Sequence, residues 1–231
     1  MQNPSIGLTI STFGTPDHIQ LTMEVMKKNG VKVPVLVHDD SSVDYENLLN
    51  ICRIYQCDFI STPFRYGHFA GDVMAVYNGL LWAKEYNFDI LVKMSRRFIP
   101  LFDWTKSLIE TIQNTPNHTY GNRCNHFRFP LRTECVAYKV SHWLNHLEDL
   151  QKVILKNTDS IEYDIFNIAK TYTVWKEVGC DRMDRMINIM WHDCYTDNEY
   201  AQMLNKYRIK YGQIPLVPNM TLAQPFNFKD L

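Results

Sequence analysis

The chain lacks a surplus of charge of either sign: 24 Lys and Arg stand against 25 Asp and Glu, a formal net charge of −1 at pH 7. Without a basic surplus there is no field for gripping nucleic acid or anionic lipid, so nucleic acid is not expected as a partner. The six cysteines, Cys52, Cys57, Cys124, Cys135, Cys180 and Cys194, include no CxxC pair. Their scatter argues against a disulfide or zinc framework and for reduced thiols in a cytoplasmic protein. Glycine and proline are few, 9 and 10 of 231 residues, which excludes a hidden linker or low-complexity tract. No run of 18 apolar residues occurs, and residues 1–14 (MQNPSIGLTISTFG) have neither the basic start nor the long apolar stretch of a secretory leader. No leader and no transmembrane segment are therefore expected, and the Asn-x-Thr matches at Asn117 and Asn219 read as idle. Phosphate loops are missing too: no GxGxxG follows the first strand and no GxxxxGK[ST] occurs anywhere. Their absence disfavours a dinucleotide-dependent oxidoreductase and a P-loop nucleotidase.

What the chain does have is an ordinary globular balance, 45% apolar and 21% charged, at a length that favours one domain with a real core. Ile6 to Ser11 is a short apolar, β-branched run that stops at Thr12-Phe13-Gly14-Thr15-Pro16. Beyond Pro16, Ile19, Met23, Val25 and Met26 recur at helical spacing. Val33 to Val37 predicts a second strand, running into His38-Asp39-Asp40-Ser41-Ser42 before a helix over 43–53. A third strand, Asp58 to Ser61, leads to a helix from about Ala70 to Glu85 and a fourth strand, Asp89 to Met94. Three successive strand–helix units require a mostly parallel sheet with helices on both faces, an α/β fold. The second half is less regular. Helices are expected over 104–113, 141–155 with Ser141 as N-cap, 161–172 and 197–207, strands over 119–129 and 134–140, and an extended strap from Gly212. No domain boundary is evident, so 1–231 reads as a single domain.

In such a sheet, ligands bind beyond the carboxyl ends of the strands. The segments there are Thr12-Phe13-Gly14, Asp39-Asp40-Ser41, Arg65-Tyr66-Gly67-His68 and Ser95-Arg96-Arg97. Three pieces, Ser11-Thr12-Phe13 ending the first strand, VLVHDDSS at 35–42, and the helix carrying Gly71, Asn78 and Ala83 before DILVKM, resemble the GT-A fold of nucleotide-sugar glycosyltransferases, in its inverting, family-2-like branch. The resemblance covers residues 5–100 well and is thinner afterwards. It implies a Rossmann-like, GT-A-like α/β domain with a nucleotide-binding half over 5–100 and an acceptor-binding half over 101–231. It further implies a nucleotide-sugar donor and a hydroxyl acceptor on a glycan, glycoprotein or glycolipid.

In that frame Thr12, Phe13, Asp39, Asp40 and Ser41 are the expected nucleoside-binding residues. A carboxylate can accept hydrogen bonds from a pyrimidine imide or ribose hydroxyls, and an aromatic ring can pack on a base. The alternative is that Asp40-Ser41-Ser42 merely caps the following helix. One departure concerns metal. The family commonly carries Asp-x-Asp after the fourth strand, where two carboxylates hold Mn²⁺ or Mg²⁺ against the diphosphate. Here the chain reads Lys93-Met94-Ser95-Arg96-Arg97, with no carboxylate from Ile90 to Leu101. No metal cofactor is therefore expected, a divalent ion being the less favoured alternative, and Ser95, Arg96 and Arg97 are expected to contact the phosphates directly. A late His192 is expected to reach the same diphosphate. Arg65, His68 and Asp72, flanking the start of the long helix, are candidates for the donor sugar. Ser160 to Phe166 resembles the acidic segment that supplies the general base, which nominates Glu162 and Asp164 as catalytic residues; a helix macrodipole alone would also favour acids there. His142 and His146, four apart, lack a third ligand in sequence and read as structural. The rival readings are a non-catalytic nucleotide- or sugar-binding module of the same fold and a nucleotidyltransferase. Cytoplasmic residence is expected, with peripheral membrane contact if the acceptor is lipid-linked.

Overall fold

The computed structural model describes residues 3–43, 45–96, 99–100, 103–122, 131–158, 160–175 and 189–190. Strand β1 (Ile6–Thr12) is followed by helix α1 (Pro16–Lys28), β2 (Val35–Asp39), α2 (Tyr45–Tyr55), β3 (Asp58–Ser61), α3 (His68–Glu85) and β4 (Ile90–Ser95). The three sequence-predicted strand–helix units are thus present. Gly14 and Thr15 both take positive φ, which turns the chain sharply from β1 into α1, and Pro16 opens that helix. After the two-residue strand β5 (Ile99–Pro100) come α4 (Thr105–Asn114), β6 (Thr119–Asn122) and β7 (Arg132–Lys139). The chain continues through α5 (Val140–Trp143), a 3₁₀ turn (Leu144–His146), α6 (Leu147–Lys156), α7 (Ile161–Ala169), β8 (Thr173–Val174) and β9 (Ile189–Met190).

The central sheet has seven strands in the order β3-β2-β1-β4-β7-β6-β8. β3, β2, β1 and β4 are mutually parallel, β7 runs against β4 and β6, and β8 lies parallel to β6. β7 is therefore the one strand of this sheet opposed to the rest, and the sheet is mostly parallel as expected. Its β5–β9 companion is a separate two-stranded ribbon. Ile6, Leu8, Ile10, Val35, Val37, Val92 and Met94 pack on one face with Ile19, Met23, Leu48 and Leu108 from α1, α2 and α4. Leu36, Leu91, Val136 and Tyr138 face the other way, toward α3, α6 and α7. Burial on both faces explains why β1, β2 and β4 read as nearly continuous apolar runs.

Several boundaries differ from expectation. β2 begins and ends two residues later than predicted, so His38 and Asp39 are strand residues and buried, not part of the loop. Ser141 does not cap its helix, which starts at Val140 with Lys139 in the flanking position. The helix predicted over 141–155 is split by the 3₁₀ turn, and that over 161–172 stops at Ala169, where Lys170 adopts φ 59°. Within the strand predicted over 119–129, residues 123–130 lie outside the described residues, as do the helix at 197–207 and the strap from Gly212. No helix among the described residues is long and apolar enough to cross a membrane.

Candidate functional site

The strand order reverses at β1: β2 and β3 lie to one side of it and β4 to the other, α3 crossing over between β3 and β4. Chains leaving adjacent strands in opposite directions leave a crevice at the carboxyl ends, and here that crevice is a cleft of about 150 Å³. Its walls come from β1 and the turn after it (Ser11, Thr12, Phe13), from Asp40 after β2, and from the loop entering α3 (Arg65, Gly67, His68, Phe69). Gly71 and Asp72 of α3, Ser95 and Arg96 at the end of β4, Thr133 and Glu134 of β7, and Ile161 and Glu162 of α7 complete it.

The fold thus gathers candidates that stand far apart in sequence. Thr12, Phe13, Asp40, Arg65, His68, Asp72, Ser95, Arg96 and Glu162 all line this cleft. Asp39, Ser41 and Asp164 do not. Arg97 and His192 lie outside the described residues.

The acidic pair after β2 divides its work. Asp39 is fully buried; its Oδ2 accepts the Ser42 N–H and the Ser61 hydroxyl, each at 2.9 Å, while Oδ1 is buried without a partner among the described residues. Asp40 turns to the cleft side and accepts the backbone N–H groups of Tyr66 and Gly67, both at 2.9 Å. Burial pushes the Asp40 carboxyl above the usual carboxylate range, while those two amides and Arg65 pull the other way. Asp40 therefore pins the loop that carries Arg65 and His68. Ser41 sits between with φ 59°, a left-handed turn that sends the chain away from the cleft. Close approach of α3 to Asp40 requires a glycine: a Cβ on Gly71 would lie 2.6 Å from Asp40 Oδ2.

The guanidinium of Arg65 lies 3.8 Å from the centre of the Phe13 ring. The Thr12 hydroxyl donates to the Gly14 carbonyl at 2.6 Å, fixing the turn on which Phe13 stands. Arg96 continues past β4 with its N–H donating to the Ser11 carbonyl at 2.9 Å, and its side chain lines the cleft.

Glu162 and Asp164 share the first turn of α7, but residues two apart on a helix point in nearly opposite directions. Glu162 faces the cleft. Asp164 instead pairs with Lys156 at 3.0 Å and accepts from the Thr158 hydroxyl.

Beneath the cleft floor lies a polar network that periodicity did not reveal. Lys93, in the middle of β4, is fully buried; its ammonium pairs with Asp72 and donates to the Thr133 carbonyl at 3.0 Å. The Ser11 hydroxyl donates to the same Asp72 oxygen, Oδ1, at 2.9 Å. Nearby, His38 Nε2 is 2.9 Å from Asn78 Nδ2, and burial lowers the His38 pKa to about 4, so the ring is neutral. A lone Lys inside the apolar run DILVKM was the available signal, because a buried ammonium needs a partner. Glu134 was also missed; β7 lies antiparallel to β4 with Met94 opposite Cys135, which puts Glu134 beside the cleft mouth.

Groups of three His, Cys, Asp or Glu side chains placed to hold a metal ion do not occur among the described residues. Of the cleft carboxylates, Asp40 spends both oxygens on loop amides and Asp72 spends one on an ammonium, so neither of these two offers both of its oxygens to a divalent cation.

The fold is that of known glycosyltransferases. The glycosyltransferase GlyE of Streptococcus pneumoniae TIGR4 superposes with a TM-score of 0.57 at 12% identity over 93% of this chain and 52% of GlyE. S. aureus TarS gives a TM-score of 0.53 at 9% identity over 92% of this chain and 40% of TarS. A cytidylyltransferase from Leptospira borgpetersenii serovar Hardjo-bovis gives 0.50 at 14% identity, over 95% of this chain and 100% of that protein. The chain thus spans about half the length of GlyE and less of TarS. No protein-family model matches the sequence, and no curated protein matches it.

Proposed function

We propose that the chain is a single-domain glycosyltransferase that moves a sugar from a nucleotide-sugar donor to a hydroxyl acceptor on a glycan or glycoconjugate, with inversion and without a metal ion. The observation that carries this reading is the convergence of Thr12, Phe13, Asp40, Arg65, Asp72, Arg96 and Glu162 on one cleft at the carboxyl ends of β1, β2 and β4. Nucleoside contacts fall to the Thr12–Phe13 turn and to Asp40, which line the cleft, while Asp39 braces the end of β2 from behind through Ser42 and Ser61. Arg65 and Arg96, with Arg97 and His192 beyond the described residues, would hold the diphosphate; a guanidinium fork neutralises a leaving phosphate at any working pH. Asp72 and His68 would address the sugar. Glu162, on the cleft wall, would take the proton of the acceptor hydroxyl as it attacks the anomeric carbon and the diphosphate departs. Asp164 supports this turn through Lys156. The reading places the enzyme in the cytoplasm, peripheral at a membrane if the acceptor is lipid-linked.

The test is a melting-point screen with UDP, GDP, CMP and TDP and their sugar conjugates, each with Mn²⁺ and again with EDTA. Ligand at a hundredfold excess over Kd adds about 2.7 kcal/mol of stability. One nucleotide class is expected to stabilise equally in EDTA, and slow release of free sugar from its conjugate is expected to require Glu162. Stabilisation only with Mn²⁺ overturns metal independence; no stabilisation by any of them overturns the donor reading. A nucleotidyltransferase, the reading favoured by the full-length match to the cytidylyltransferase, would instead turn over a nucleoside triphosphate with release of pyrophosphate.

A further inference from the structure

A second cavity, of about 780 Å³, lies at the other end of the sheet from the cleft. β4 spans the two: Ile90 at its start lines the cavity and Ser95 at its end lines the cleft, about 17 Å apart at roughly 3.3 Å per residue. The volume is in the range of small-molecule sites. One wall comes from the amino ends of β1 and β4, another from the segment joining α4 to β6. Both are held by hydrogen bonds. Asp89 Oδ2 accepts the backbone N–H and the hydroxyl of Ser5, each at 2.8 Å. The hydroxyl of the buried Tyr120 donates to the Asn117 carbonyl at 2.6 Å, with the Thr115 carbonyl at 3.2 Å, and so fixes the turn after α4. Four side-chain amides, those of Asn3, Gln113, Asn114 and Asn117, face this space. Gln113 Nε2 donates to Asn3 Oδ1 at 3.3 Å, and Asn117 Oδ1 accepts the His118 N–H at 2.8 Å. Left for a ligand are the NH₂ groups of Asn3 and Asn117 as donors, Gln113 Oε1 as an acceptor, and both ends of the Asn114 amide. Among the described residues, Asp89 and Lys139 are the only charged side chains that line the cavity, and their signs are opposite. Phe88 adds an aromatic ring, which stacks at 8° on the exposed ring of Tyr86 and so continues an apolar surface outward.

We infer that this cavity is a second binding site, for a neutral oligosaccharide. A sugar hydroxyl both donates and accepts, so it can use amide donors and acceptors interleaved on one wall. An anion would leave the acceptors unmatched, and a cation the donors. The C–H face of a pyranose ring is apolar and packs on an aromatic ring such as that of Phe88 or Tyr86. With one carboxylate and one ammonium, the lining offers no net charge to draw a charged ligand. Choosing a sugar over an uncharged peptide rests on the glycosyltransferase reading of the cleft. Under that reading, a long glycan acceptor held here has its free end at a raised effective concentration near the cleft.

Titration calorimetry on the full chain, without nucleotide, tests this with maltohexaose, cellohexaose, laminarihexaose and mannohexaose as probes. A galacturonate hexamer serves as the charged control and an uncharged Ser- and Asn-rich peptide as the polymer control. At least one neutral sugar is expected to bind with a Kd of about 0.1–1 mM, and neither control as tightly. Asn114→Trp and Ser141→Trp each bring an indole into the cavity from an exposed position. Both are expected to weaken that binding about tenfold or more with the melting point unchanged. Asn114→Ala, which removes one amide and leaves the space open, is expected to weaken it about threefold to tenfold and serves if the Trp variants do not fold. No binding of any neutral sugar up to about 10 mM overturns the inference. So does a control that binds more tightly, or an affinity that is the same in all the variants, which would place the sugar elsewhere. Each of these leaves the donor reading standing, since nucleotide stabilisation is measured separately. Sugar binding that the variants abolish, in a protein that no nucleotide stabilises, supports the second site and overturns the donor reading alone.

Discussion

Buried titratable side chains set the behaviour of this protein with pH, and His38 is the one of them whose shift falls on the acid side of neutrality with a value that can be followed. Burial holds its pKa at about 4 against an ordinary 6.5. The unfolded chain therefore binds a proton near pH 6.5 that the folded chain refuses until about pH 4, so stability falls as the pH drops through that window. This group alone is expected to cost about 2 kcal/mol between about pH 7.5 and about pH 5. Asp40 works in the opposite sense: its carboxyl lies above the usual range, so its contribution is present in acid and lost as pH rises through the folded value. Urea midpoints of the wild type and His38→Gln at the two pH values separate the effects, and an undiminished acid loss in the variant would refute the assignment. Asp40→Asn tests the carboxylate. An amide has one acceptor oxygen for the two N–H groups of Tyr66 and Gly67, and its own NH₂ would face a donor. About 1–3 kcal/mol of stability is expected to be lost, together with faster proteolysis within residues 62–67.

Among the elements, α3 and α7 decide how the cleft is shaped. α3 lies against β1, β2 and β4, and glycines make that approach possible: a Cβ on Gly71 would meet Asp40 Oδ2 at 2.6 Å, and one on Gly79 would meet Thr9 Oγ1 at 2.6 Å. Gly71→Ala is expected to cost about 1–3 kcal/mol, because Asp40 is held by loop amides and can yield only by moving the loop. The same change should weaken nucleotide binding, since the loop bears Arg65; an unaltered melting point would argue that α3 slides freely. α7 separates its two acids by orientation. Glu162→Gln is expected to lower turnover by about 10²–10⁴-fold with little change in melting point, the behaviour of a lost general base. Asp164→Asn, which removes a partly exposed pair with Lys156, is expected to change stability by less than about 1 kcal/mol and turnover only modestly. Steady-state kinetics on the two variants checks the assignment, and equal losses would show that α7 acts as a unit.

For the molecule as a whole, the charge arrangement around the cleft should govern how a phosphorylated ligand binds. Arg96→Ala is expected to weaken nucleoside diphosphate affinity by about 1.5–3 kcal/mol, the value of a hydrogen bond to a charged group, with the same loss in EDTA as in Mn²⁺. Calorimetry in both buffers reads this directly. A loss confined to Mn²⁺ would assign the phosphates to a metal. Much of this architecture is legible along the chain. Runs of apolar, β-branched residues alternating with helical spacing specify β1 to β4 and their helices, because a doubly covered parallel strand must be apolar on both faces. Residues at the ends of those strands are candidates by position alone, which is how Thr12, Phe13, Asp40, Ser95 and Arg96 could be named. Other features depend on partners brought from a distance. That Asp39 is buried follows from the two-residue shift of β2, set by pairing with β1 and β3 and invisible to local pattern. That Asp164 turns away while Glu162 faces the cleft depends on how α7 packs on α6 and β7. That Lys93 meets Asp72, and that β7 brings Glu134 and Thr133 beside them, is decided only in three dimensions. The sequence by itself determined that β1 to β4 and the helices between them form, since these depend on neighbours within a few positions. Tertiary structure alone decided which charges are neutralised and which face the cleft, because that depends on contacts between residues 21 to 61 positions apart.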